Sequence, residues 1–171
     1  VSTASDGTQG NNNSNAQPSL SADGRYVVFQ SQATNLVVGD TNGATDVFIK
    51  DLQTGETKLI STSSSGAQVN GGSTGAVISA DGRYVAFMSE ASNLVAGDTN
   101  VRQDIFVKDL QTGETKRVST DSSGAQGSGW NESPAISADG RYVAFSSSAN
   151  SLVTGDTNVD VDVFIKDLQT G

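Results

Sequence analysis

A chain of 171 residues with a formal net charge of −9 is long enough for one ordinary domain core. Its acidity argues against binding a nucleic-acid backbone, which needs a basic surface. No apolar run reaches the roughly 18 residues of a membrane-spanning helix, so no membrane insertion is expected. Cysteine and histidine are both absent, which removes disulfides, thiolate sites and the commonest general base. Oxygen ligands are what remain for a metal, a set suited to Ca2+ or Mg2+. The chain starts at Val1 without a recognisable leader, as expected of a processed or excised piece.

In chain order, residues 18–21 form a short apolar stretch before Asp23-Gly24, a strong two-residue hairpin signal because glycine accepts a positive φ. Residues 25–31 follow as a second strand rich in β-branched and aromatic side chains. A polar loop leads to a third strand over 46–51, a Thr54-Gly55 turn and a fourth strand over 56–62. The pattern then repeats. Ser-Ala-Asp-Gly-Arg-Tyr begins at Ser21, Ser79 and Ser137, and Asp-Leu-Gln-Thr-Gly begins at Asp51, Asp109 and Asp167, each time 58 residues apart. The chain divides into repeats 1–59, 60–117 and 118–171. With dense Gly, Ser and Asn punctuation and no helical periodicity, the expected fold is all-β, built of four-stranded antiparallel propeller blades.

The consensus Ser-x-Asp-Gly-Arg-Tyr-Val-x-Phe, followed by Asp-[Val/Ile]-Phe-[Ile/Val]-Lys-Asp-Leu-x-Thr-Gly, resembles the TolB-like, WD40-like (PD40) propeller repeat across all three copies. Family blades are commonly shorter, and the excess here lies between the second and third strands. Val1-Ser2-Thr3 aligns with Val118-Ser119-Thr120, the end of a fourth strand, whereas residue 171 stops before such a strand. The N-terminal residues 1–3 would therefore supply the outer strand that the last blade lacks. Three blades make a poor ring, since propellers typically have four to eight. Two chains joined head to tail would give six blades, the number usual for TolB-like propellers. The alternatives are an open filament or a piece of a longer propeller.

The extra loop carries the candidate site. Copy one places Asp40, Asn42 and Asp46 at a spacing repeated as Asp98, Asn100 and Asp104, and again as Asp156, Asn158 and Asp162. Oxygen ligands at alternate loop positions can converge on one Ca2+, as in the first part of an EF-hand loop, although no bidentate glutamate follows here. The competing reading is a turn stabilised by Asp and Asn hydrogen bonding to local backbone. Arg102 makes copy two the weakest candidate, and Asp160 is an extra carboxylate in copy three.

Asp51, Asp109 and Asp167 are expected to cap the turns they precede, and Arg25, Arg83 and Arg141 to pair with nearby carboxylates. The tyrosines and phenylalanines read as packing between blades. Trp130, in a Gly/Ser-rich loop, is either a ligand-stacking residue or a plug between blades. Asn12-Asn13-Ser14 and Asn131-Glu132-Ser133 match the N-glycosylation pattern. The long polar loops after each fourth strand should share a face with the Asp/Asn loops, and that face is where a protein or glycan ligand would bind.

Together these features point to a non-enzymatic, calcium-braced module for binding or self-assembly at an extracellular, cell-surface or periplasmic location. The alternatives are a structural subunit of an extracellular filament or sheath, and the accessory propeller of an enzyme.

Overall fold

A computed structural model describes residues 1–158 and 160–171, with every side chain among them except that of Ala16. Among the described residues eleven strands form three antiparallel sheets. The first contains β1 (Ser14–Leu20), β2 (Tyr26–Ser31), β3 (Asp46–Asp51) and β4 (Thr57–Leu59). The second contains β5 (Ser73–Ile78), β6 (Tyr84–Ser89), β7 (Asp104–Asp109) and β8 (Thr115–Arg117). The third has β9 (Asn131–Ile136), β10 (Tyr142–Ser147) and β11 (Asp162–Asp167). Strands neighbour one another in chain order within each sheet, and β1, β5 and β9 lie side by side across the three. This is the blade arrangement of a propeller, with first strands innermost and fourth strands outermost.

The third strands fall where the sequence places them, but the first strands begin three to four residues earlier. There the pairing shifts register between Asn15 and Ser19, and Pro18 and Pro134 sit on strands with one free edge, where a missing N–H costs no ladder bond. The Asp-Gly turns also differ from expectation. Gly24 N–H donates to the Ser21 carbonyl at 2.9 Å and Ser21 N–H to that of Tyr26. The turn therefore spans four residues, with only Gly24 left-handed (φ 70°). A two-residue hairpin of the expected type would also need a positive φ at Asp23. That side chain instead accepts from Ser21 Oγ and Arg25 N–H.

Apolar side chains of neighbouring sheets meet face to face. Val28, Val47 and Ile49 of blade one pack with Ile78, Val85, Phe87 and Phe106 of blade two, and Ala86, Ile105 and Val107 pack with Val143 and Phe145 of blade three. Ala22 N–H donates to the Ala80 carbonyl, and Ala80 N–H to that of Ala138, so the tight turns are stitched from blade to blade. Tyr26 lies on Gly82, where an added Cβ would sit 2.7 Å from the ring. The buried β3 and β7 lysines add a second stitch. Lys108 Nζ donates to the Thr62 and Ser63 carbonyls and to the Thr62 and Thr115 hydroxyls at 2.9–3.2 Å. Lys50 makes the same set of contacts to Thr3, Ala4 and Thr57. Residues 1–4 thus stand to blade one as the exit of blade one's outer strand stands to blade two.

Each blade is closed at its narrow-turn end by an arginine–aspartate clasp, as the sequence suggests. Arg83 Nη2 lies 2.7 Å from Asp109 Oδ2, while Asp109 Oδ1 accepts from Gln111 N–H at 2.8 Å. The guanidinium, helped by the backbone N–H groups of Gln111 and Thr112, holds the Asp109 carboxyl down at about 2. Asp51 and Asp167 are held well below the ordinary range by Arg25 and Arg141. A carboxyl depressed in the folded state stabilises it above the unfolded value of about 4, and that contribution is lost as pH falls towards about 2. Thermal melts should therefore show a falling midpoint across that window. In Asp109→Asn, which has no such proton to take up, the slope should be shallower.

Candidate metal centre

The long β2–β3 loop of blade one turns at Gly39 and Gly43, both with positive φ, and delivers Asp40, Asn42 and Asp46 to one place beside the loop that follows β4. Asn42 Oδ1 accepts from Ala44 N–H at 2.9 Å, the local turn bond anticipated for this residue, and its amide donates to the Val69 carbonyl at 3.2 Å. Gln68 Nε2 donates to Asp40 Oδ1 at 2.8 Å while its Oε1 accepts from Thr41 N–H. Ser61 Oγ donates to Asp46 Oδ1 at 2.6 Å and accepts from Val47 N–H. Asp46 is fully buried, and although the Asn42 and Gln68 amides face its carboxyl, its Oδ2 has no partner within hydrogen-bond distance among the described residues. Burial pushes the carboxyls of both Asp40 and Asp46 above the ordinary range, and the Asp40 charge adds to the effect at Asp46. A buried carboxylate oxygen of this kind is costly unless a cation or a donor meets it.

Blade two repeats the frame with an arginine facing it. Gln126 Nε2 donates to both Asp98 Oδ1 and Asp104 Oδ2, and Ser119 Oγ to Asp104 Oδ1. Asn100 donates to Asp104 Oδ2 and to the Gly127 carbonyl. Arg117, near the end of β8, reaches in from the outer strand. Its Nη1 lies 3.5 Å from Asp98 Oδ1 and 3.8 Å from Asp104 Oδ2, with the three side chains 10%, 4% and 0% exposed. Arg102, the residue expected from sequence to weaken this copy, instead stacks over Trp130 at 5.1 Å. The indole is half exposed beside the blade two–blade three junction. Val101 replaces Gly43 and is held left-handed (φ 53°), an uncommon state for a β-branched residue.

In blade three, Asn158 Oδ1 accepts from Asp160 N–H, the same local turn, while Asp162 is part-exposed. In blades one and two these walls, Ser61 with Gln68 and Ser119 with Gln126, come from the segment after the fourth strand, and the described residues end at Gly171, before that segment of blade three. The structure therefore brings together the predicted residues of copies one and two, and among the described residues no outer segment faces those of copy three. Among the described residues the carboxylates meet in pairs, and no group of three His, Cys, Asp or Glu side chains gathers. Sequence reasoning missed Ser61, Gln68, Ser119, Gln126 and Arg117. The one available signal was that Leu59 and Arg117 differ at a position where most of the repeat is preserved.

Asn131, the acceptor position of one glycosylation pattern, is fully buried and donates to Asp104 Oδ1 and to the Gln103 and Gly129 carbonyls. The folded chain does not present it to a modifying enzyme. The Asp/Asn loops and the polar loops after the fourth strands share one face, tied by Gln68 to Asp40 within blade one and by Asn70 to Asn93 and Ser92 across blades.

No protein-family profile and no curated protein matches the chain. Solved structures do. A putative TolB from Agrobacterium tumefaciens aligns at a TM-score of 0.54 and 18% identity, over 92% of this chain and 48% of that one. The tricorn protease aligns at 0.57 and 20%, over 91% and 14%. An oligogalacturonate lyase in complex with manganese aligns at 0.58 and 18%, over 92% and 39%. The fold is that of the TolB-like β-propeller. This chain spans less than half the length of each of these three proteins, and at such identities the likeness is one of fold.

Proposed function

We propose that this chain is a non-enzymatic, TolB-like propeller module that joins a second copy of itself head to tail and whose loop-rich face is braced by calcium, acting at an extracellular, cell-surface or periplasmic location. One observation carries the assembly. Val163 and Ile165 of β11 are 79% and 70% exposed, whereas their equivalents Val47 and Ile49, and Ile105 and Val107, are at most 5% exposed beneath the next blade. At the other end, Val1 and Leu20 are 62% and 59% exposed on the face that would receive such a blade. Exposed apolar sheet faces of this kind mark interaction surfaces.

The second copy fits this junction for a chemical reason too. Residues 1–4 already hold the outer-strand position against blade one. Laid beside β11 of a second copy, they would set Ser2 against Asp162 and Gln9 against Asp156, as Ser61 and Gln68 meet Asp46 and Asp40. Two chains then make six blades, within the usual range. The buried carboxylate oxygens of Asp40 and Asp46 and the millimolar calcium found outside cells support the metal and the location. The shared face of polar loops is where a protein or glycan ligand would dock.

Light scattering on the purified chain tests the assembly. Twice the 17.5 kDa chain mass is expected, returning to the single-chain mass in Ile165→Asp. A single-chain mass for the unaltered protein would overturn the ring, and open-ended growth would establish the filament instead.

A further inference from the structure

We propose that Arg117 is a built-in cation that takes the place of a bound metal ion in blade two, and that blade one, with Leu59 at the same position, binds a divalent cation between Asp40 and Asp46. The inference rests on the calcium reading above and deepens it by assigning which blade takes the ion and what decides it.

The two positions are equivalent in register: Leu59 pairs with Phe48 and Arg117 with Phe106. Both centres share two carboxylates, an asparagine turn, a glutamine clamp and a serine donor. What differs is the charge that faces the carboxylates. In blade two the Arg117 guanidinium lies within 4 Å of both Asp98 and Asp104, facing them by charge without a hydrogen bond from its buried Nη1, and Gln126 and Asn100 both satisfy Asp104 Oδ2. In blade one Leu59 turns into an apolar cluster with Phe29, Ala33, Leu36 and Phe48. Asp46 Oδ2, the counterpart of Asp104 Oδ2, is left buried without a partner. Two neighbouring buried carboxylates and an unpartnered oxygen form a site that lacks one positive charge, and a hard divalent ion supplies it with oxygen ligands of the right kind. Arginine cannot lose its charge at any ordinary pH, so blade two is occupied permanently.

The test uses the full chain freed of metal, with CaCl2 as the probe, followed by calorimetric stoichiometry and by melting temperature. Leu59→Arg should bind one fewer calcium ion per chain than the unaltered protein and should melt higher when metal-free. Arg117→Leu should melt lower when metal-free and gain one calcium ion per chain, with calcium restoring its melting temperature. Unchanged stoichiometry in Leu59→Arg, in a protein that does bind calcium, would overturn the inference. If the unaltered chain binds no calcium at millimolar concentration, the calcium reading itself fails. The role of Arg117 as internal cation would then stand or fall on the opposite shifts of the two metal-free variants. Should Arg117→Leu not fold, Leu59→Arg decides the matter alone.

Discussion

Phe106→Ala is expected to destabilise the protein by about 3–5 kcal/mol, the usual cost of emptying a fully buried aromatic site. Phe106 is 0% exposed, stacks on Phe87 with centroids 6.0 Å apart, and belongs to the core shared by blades one and two. Its loss opens a cavity at the junction that couples the first two blades, so it weakens both the blade and its interface. Phe164 makes the same stacked pair with Phe145 but sits in the last blade and is only partly buried. Phe164→Ala should therefore cost clearly less. Urea unfolding of the two variants checks this, with the midpoint falling further for Phe106→Ala and the slope unchanged. Equal shifts would mean that the last blade packs as tightly as the middle one.

The second large effect is expected at Lys108. Among the described residues its ammonium has no carboxylate partner and is held by four neutral oxygens, including two carbonyls just beyond the outer strand of blade one. Burial draws its pKa below the ordinary lysine value, yet the four acceptors make it the tie between one blade and the next. Lys108→Ala strands buried acceptors and should cost about 2–4 kcal/mol, since hydrogen bonds to charged groups exceed neutral ones and stranded partners add to the loss. Among the described residues Lys166 donates to two carbonyls, those of Thr120 and Asp121. Lys166→Ala should cost roughly half as much by the same measurement. In a chain of repeats stabilised by neighbour contacts, removal of the middle stitch should also broaden the unfolding transition.

The sequence alone determined the architecture and much of the candidate site. Strands over 46–51, 104–109 and 162–167 were legible because a short run of β-branched and aromatic residues followed by a glycine turn acts within a few positions. The clasp of Asp51 with its turn was legible for the same reason, since capping is a local bond. The copies of Asp40, Asn42 and Asp46 could be paired because the repeat preserves their spacing.

What the sequence could not rank was the three copies against one another. Leu59 and Arg117 lie 13 residues after Asp46 and Asp104, and only the β3–β4 and β7–β8 pairings bring those positions to the carboxylates. Gln68 lies 28 residues after Asp40 and meets it only because the loop leaving one outer strand folds back over its own blade. Asn131 reads as a surface acceptor in the sequence and is buried because blade three closes over Asp104. The sequence by itself thus determined that three similar acidic loops exist on three similar blades. Only the tertiary structure decided that one is faced by a buried arginine, one has a bare buried carboxylate oxygen and one meets no outer segment among the described residues. Local chemistry writes a loop, but the charge that faces it comes from a strand far along the chain, placed there by sheet pairing.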